Sequence, residues 1–236
     1  DIRDAVEYAS NESKWRSMSA HARAQVLYYA AENLDLRKDE FAQTIQLMTG
    51  ENGKDEVDQA LENIFYFASW TDKFEGTIHN VPIRGVSLAM KEPLGVIAIV
   101  CPDNNPLLSF IHLVFSALCM GNTVVVVPSE KHPLCAIDMY QIFETSDFPP
   151  GAINIVTGNR DELSETLSKH MQVDGIWYFG SKEGSKKIEE NSNSNLKQTW
   201  VNNGLSYSWV DLPKEIKMKS LEKSIQIKNI WIPYGE

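Results

Sequence analysis

Cysteine is scarce in this chain. Cys101, Cys119 and Cys135 are all there is, an odd number that cannot fully pair, each in an apolar or helical context. That excludes a disulfide framework, and a reducing, cytoplasmic location is expected. Positive charge is short as well. Lys and Arg number 22 against 32 Asp and Glu, a formal charge of −10, which suits neither nucleic acid nor anionic membranes. No apolar run reaches membrane-spanning length. The opening Asp1-Ile2-Arg3-Asp4 is not a signal peptide, and without an initiator Met a trimmed or excised segment is expected. There is no GxGxxG and no internal repeat. His21, His79, His112, His132 and His170 have no metal-ligand spacing. They read as surface or helix-terminal residues, and no metal is expected.

What is present is an ordinary globular composition, 43% hydrophobic and 23% charged. The first third reads as helix. Ser19 is a plausible N-cap, followed by Val26, Leu27, Ala30 and Leu34 at helical spacing. Asp35 is placed at the start of a second helix carrying Phe41, Ile45 and Met48 and closed by Gly50. A third helix spans Lys54 to Lys73, with Val57, Leu61, Ile64, Phe65 and Ala68 on one face. From Thr77 to Met90 the pattern changes. Ile78, Val81, Ile83, Val86 and Leu88, broken by Pro82 and Gly85, predict a hairpin-like excursion with little core of its own.

From Leu94 onward, apolar runs alternate with helical patterns. Strands are expected at Leu94–Val100, Thr123–Val127, Ala152–Val156, Gly175–Tyr178 and Thr199–Val201. Helices are expected at Leu107–Met120, Leu134–Thr145, Asp161–His170 and Lys182–Glu190. Runs apolar throughout, joined by helices, imply an α/β fold with a doubly wound parallel, Rossmann-like sheet. Asn191-Ser192-Asn193-Ser194-Asn195 reads as a loop. After Pro213 a lysine-rich link leads to Ser224–Ile232, whose period-two alternation predicts a solvated or edge strand. Trp231 in that strand is the leading interface candidate.

Marker segments stand in order along this frame. They are Glu92-Pro93-Leu94-Gly95, Pro102-Asp103-Asn104-Asn105-Pro106, Val127-Pro128-Ser129-Glu130, Phe148-Pro149-Pro150-Gly151, Tyr178-Phe179-Gly180-Ser181 and Val201-Asn202-Asn203-Gly204. Together they resemble the cofactor-binding half of an aldehyde dehydrogenase. Phe67–Gly76 resembles the segment before that family's oligomerisation hairpin, and Ile227–Pro233 its terminal oligomerisation strand. The division implied is 1–76 helical part, 77–93 oligomerisation hairpin, 94–213 Rossmann-like domain and 214–236 oligomerisation strand. A stretch for the catalytic domain is missing between Gly204 and the terminal strand. That combination resembles the second, non-catalytic module of the two-module (family 16) members.

The resemblance carries over to single residues. Asn104 matches the family's oxyanion amide, or else is a turn residue capping the helix near Pro106. Glu130 matches the glutamate of Lys-Pro-x-Glu, whose lysine is here Val127. Gly180 and Ser181 match the Gly-Ser opening a helix at the pyrophosphate, or else Ser181 is a plain N-cap. These four are the cofactor-binding candidates, read as vestigial. No catalytic residue is assigned. The general-base position holds Val201, no cysteine follows Gly204, and the three cysteines present read as core filler. The implied function is a non-catalytic pseudoenzyme scaffold without cofactor, pairing with itself or with a companion aldehyde dehydrogenase module. The alternative is a fragment of an NAD-dependent aldehyde dehydrogenase oxidising aldehydes to carboxylic acids. A third reading is a nucleotide sensor.

Overall fold

The computed structural model describes residues 1–82 and 84–234, so Ile83 of the expected hairpin lies outside the described residues. Helices come first: α1 (Ile2–Asn11), α2 (Lys14–Ser17), α3 (Ala20–Leu36), α4 (Lys38–Thr49) and α5 (Lys54–Trp70). Ser19 caps α3, its Oγ accepting the Ala22 N–H at 3.2 Å. Gly50 closes α4 at φ +77°, a conformation that costs a residue with a Cβ far more than glycine. The second long helix begins at Lys38, not Asp35. α3 runs on through Asp35 and breaks at Arg37, whose guanidinium pairs with Glu40.

Two strands follow, β1 (Thr77–His79) and β2 (Gly85–Pro93). The alternating part then runs β3 (Val96–Val100), α6 (Pro106–Cys119), β4 (Thr123–Val127), α7 (Leu134–Thr145), β5 (Ile153–Ile155), α8 (Arg160–Lys169), β6 (Gly175–Tyr178), α9 (Lys182–Asn191) and β7 (Gln198–Val201). A helix, α10 (Lys214–Lys223), and a long strand, β8 (Ile225–Pro233), complete the described chain.

β3 to β7 form one parallel sheet in the order β5-β4-β3-β6-β7. β3 is central, pairing Val96 with Thr123 of β4 on one side and Ile97 with Gly175 of β6 on the other. Its residues alternate between two cores. Ile97 and Ile99 pack with α3, α5, α6 and α7, whereas Val96, Ala98 and Val100 pack with α1, α8 and α9. Cover on both faces is why β3 and β4 are apolar at nearly every position instead of alternating. The doubly wound α/β class expected from the sequence is the observed one. α6 is buried along its whole length, as a helix apolar on all sides must be.

The structure corrects two readings here. His112 is not at a surface or a helix end. It sits mid-α6, fully buried between Phe67 and Trp209, with Nε2 3.2 Å from Ser220 Oγ. The lysine-rich link after Pro213 is helix α10, which lays Ser220 and Leu221 against α6.

The second sheet is an arm of order β1-β2-β8. β2 and β8 run antiparallel from Gly85↔Pro233 to Pro93↔Ile225. Among the described residues β8 has no strand on its outer edge, and Ile227, Trp231 and Ile232 are exposed. No helix among the described residues is long and apolar enough to cross a membrane.

Candidate functional site

Connections from β3 lead outward to β4 and β5, then α8 returns the chain to β6 on the other side of β3. The order therefore reverses between β3 and β6. Loops leaving the carboxyl ends of those strands diverge there and open a crevice, the usual ligand position in such sheets. Here it measures about 240 Å³ and is lined by the loop after β3 (Pro102, Asp103, Asn104), the start of α9 (Gly180, Ser181), Arg160 of α8 and the turn after β7.

The loop after β3 is fixed from several directions. Asn105 takes a left-handed conformation, φ 48°, which Asn tolerates better than most residues. Glu56, reaching from α5, accepts the N–H groups of Leu107 and Leu108 at 2.8 and 3.0 Å and so caps α6. Burial pushes the Glu56 carboxyl above its ordinary range, and those two N–H groups oppose the shift. Asn104 does not cap α6. Its Nδ2 donates to the Tyr207 carbonyl at 2.9 Å, tying the loop to the segment after β7.

Asp103 is the hub of a polar network across the strand ends. Its Oδ1 accepts from Arg160 Nη2 at 2.5 Å and from Ser129 Oγ at 2.8 Å. Burial alone would raise its carboxyl, but the bonds from Arg160 and Ser129 outweigh it and hold the group below the usual carboxylate range. Glu130 joins from the end of β4, its Oε2 accepting the Arg160 backbone N–H at 3.2 Å. Glu130 is thus placed at the α8 end of the network and is not itself a lining residue.

Gly180 and Ser181 lie where the sequence put them, at the start of α9. Ser181 Oγ accepts the Gly184 N–H at 2.9 Å, an N-cap bond. The Ser185 N–H goes to the Ser181 carbonyl. That leaves the N–H groups of Lys182 and Glu183 as the ones at this helix start not taken up by Ser181. A Cβ at Gly180 or Gly184 would collide with the buried Tyr178 ring, so both glycines let α9 start directly over the end of β6. Gly204 (φ +75°) brings backbone to the same place, a Cβ there standing 3.0 Å from Lys182 N.

The opposite wall is aromatic. Phe179 stacks edge-on with Tyr207 and Trp209 at 5.6 and 5.4 Å, and Trp209 Nε1 is buried without a partner. Arg160, Tyr207 and Trp209 were not site candidates from sequence. Arg160 stands just before the helical pattern expected from Asp161, and its meeting with Asp103 across 57 positions leaves no local mark. Cys101 directly precedes the lining loop, Cys119 lies in α6 and Cys135 in α7, and all three are buried. Burial pushes the Cys101 thiol up to about 12, partly offset by Arg160, and drives the Cys119 and Cys135 thiols up as well. None of them is a ready nucleophile.

Comparison with known proteins now decides the family. The profile described as the aldehyde dehydrogenase family matches residues 1–208. The chain belongs to the aldehyde dehydrogenase family. It is 33% identical over 216 residues to human retinaldehyde dehydrogenase 3, covering 86% of this chain and 42% of that protein. It is 32% identical over 210 residues to the cytosolic aldehyde dehydrogenase 1 of Elephantulus edwardii, with coverage of 86% and 42%. Among solved structures, the NAD+ complex of an aldehyde dehydrogenase from Bacillus cereus matches with TM-score 0.82 and 28% identity, covering 85% of this chain and 42% of that one. A mutant of betaine aldehyde dehydrogenase from Staphylococcus aureus, solved in its apo form, matches at TM-score 0.81 and 29% identity, with coverage of 85% and 42%. This aldehyde dehydrogenase chain thus spans about two-fifths of its relatives' length.

Two expectations are overturned by these findings. A non-enzyme, and a chain with no cofactor, do not accord with relatives named as dehydrogenases and a neighbour solved with NAD+. The physical reason lies in what the sequence changes. Val127 and Val201 alter side chains, whereas phosphate groups are met at a helix start by backbone N–H groups, and that backbone is in place at Lys182 and Glu183. The residues present therefore fit a dinucleotide: the start of α9 at Gly180 and Ser181 and a cation at Arg160 both line the crevice.

Proposed function

We propose that this chain is the coenzyme-binding portion of an NAD-dependent aldehyde dehydrogenase, and that the β1-β2-β8 arm joins it to a second copy or a companion module. One observation carries the coenzyme assignment: the crevice at the β3–β6 reversal opens onto the start of α9 at Gly180-Ser181. NAD, when bound, supplies a hydride acceptor. The chain's own residues do the holding. The Lys182 and Glu183 N–H groups and the positive end of the α9 dipole meet the phosphates. Asn104 and the Tyr207 carbonyl keep the β3 loop and the β7 turn in register around the ligand. Phe179, Tyr207 and Trp209 form an apolar wall that limits water there.

The thiol and the base of aldehyde oxidation are proposed to come from the length of the relatives that this chain does not span, because its own thiols are buried and raised in pKa. The finer placement we propose is the second module of a two-module (family 16) member, with the thiol and base then supplied by the companion module of the same enzyme. The arrangement supporting this is β8 following β7 after the single helix α10.

The test is a thermal melt with NAD. A ligand that binds the native state alone stabilises it by about 2.7 kcal/mol at a hundred times its Kd, which for a chain of this size is a rise in Tm of roughly 5–10 °C. A saturable upward shift is expected. A melting curve unmoved up to millimolar NAD would remove the proposal.

A further inference from the structure

Among the described residues, Arg160 is the sole cationic side chain lining the crevice. It shares the strand ends with the carboxylates of Asp103 and Glu130, in a chain whose formal charge is −10. Val127 supplies no charge at the end of β4. A pyrophosphate brought to the start of α9 would therefore meet repulsion from two carboxylates, and one guanidinium is placed to oppose it. That guanidinium is also pre-positioned. Nη2 is fixed on Asp103 Oδ1, which Ser129 holds from its other side, while Arg160 Nε is buried with no hydrogen-bond partner. Its backbone N–H is pinned by Glu130, so the first residue of α8 cannot swing away without breaking two contacts. With Nη2 on Asp103 and Nε buried, Nη1 is the guanidinium nitrogen left to donate to a phosphate, and such charge-assisted bonds are the strong ones.

We propose that Arg160 is the specificity-determining residue of this crevice, gripping the pyrophosphate of a dinucleotide opposite the N–H groups of α9, with Asp103 as the group that positions it. The inference rests on the coenzyme reading above. It adds the residue that selects for phosphate and makes the Asp103–Arg160 pair part of the binding machinery, where a surface ion pair would contribute little.

The experiment is calorimetric titration of the 236-residue chain with NADH, with ADP and with adenosine. R160Q removes the charge. R160K keeps charge without the fork. D103N/R160Q removes both members, so that no uncompensated carboxylate is left to unfold the loop, and its melting temperature is read alongside. R160Q and D103N/R160Q are expected to bind NADH and ADP about ten- to a hundredfold more weakly, the range for a lost charge-assisted hydrogen bond. Adenosine, which has no phosphate, is expected to change less than about twofold. R160K should recover part of the loss. Unchanged NADH affinity in both glutamine variants overturns the proposal, as does R160K binding no better than R160Q. An equal loss for adenosine would make Arg160 a structural residue only, and also overturns it. A parent chain that takes up neither NADH nor ADP would bring down the coenzyme reading and this inference together. A parent that binds both while R160Q matches it brings down this inference alone.

Discussion

At position 112 a histidine stands inside the fully buried and largely apolar α6, and the protein holds it neutral. Burial, with a smaller push from the charge on Lys217, lowers its pKa from 6.5 to about 3. The unfolded chain binds the proton that the folded chain refuses, so this group favours unfolding as pH falls. Its folded pKa is depressed, so no penalty from this group is felt above pH 6.5, and stability is lost between pH 6.5 and about 3. The steepest loss a single proton can give is ~1.4 kcal/mol per pH unit. His112→Phe keeps a ring against Phe67 and Trp209, and Ser220 Oγ still has the Lys217 carbonyl to bond at 2.8 Å. Urea unfolding of the two proteins at pH 7.5 and at pH 5 should therefore show a smaller acid loss in H112F. Equal losses would mean that the imidazole titrates alike in both states. The sequence could not place this residue inside, because a lone histidine in an apolar run looks the same whether a hydroxyl waits opposite it or water does. The hydroxyl here comes from Ser220, 108 positions away.

Between elements, legibility follows how locally the determining force acts. β3 and β4 could be read as buried strands because both faces demand apolar side chains, and the demand is written into consecutive residues. α10 could not, because only Ser220 and Leu221 of its residues are buried, and lysines elsewhere on it mask the helical period. Asn104 was legible as a loop residue of the site, but its partner was not. The expected local capping bond is replaced by a tertiary one to Tyr207. Capping of α6 falls instead to Glu56, from a helix placed earlier in the chain. Glu56→Ala should leave buried N–H groups of Leu107 and Leu108 unpaired and cost about 1–3 kcal/mol. Glu56→Gln retains an acceptor and should cost much less. Chemical denaturation of both variants checks the difference, and equal destabilisation would show that the carboxylate's packing, and not its bonds to α6, is what α5 contributes. In the same way Ser181 and Gly180 could be picked out from sequence as a helix start, whereas Arg160 emerged only once α8 was seen beside the β3 loop.

For the molecule as a whole, the arm raises a question of assembly. β2 and β8 pair along nine positions, yet this sheet has only the short β1 beyond β2 and nothing beyond β8 among the described residues. An edge this long, with Ile227, Trp231 and Ile232 exposed, is a template for another strand. The Tyr234 N–H bonds back to the Arg84 carbonyl, so even-numbered residues of β8 direct their N–H groups toward β2 and odd-numbered ones away from it. Asn229 is odd-numbered and mid-strand. Proline there removes only an outward donor, which a sheet edge tolerates, so Asn229→Pro should fold and melt near the parent while failing to pair outward. If the arm is the assembly element we propose, light scattering should give a multiple of the 26.7 kDa chain mass for the parent and a single chain mass for N229P. A parent already at the single mass, or an N229P variant at the parent's mass, would place any association elsewhere. This readout is independent of coenzyme binding, because the β8 edge and the crevice share no residue. Failure of one assignment therefore leaves the other standing, and N229P should still show the NAD-dependent rise in melting temperature.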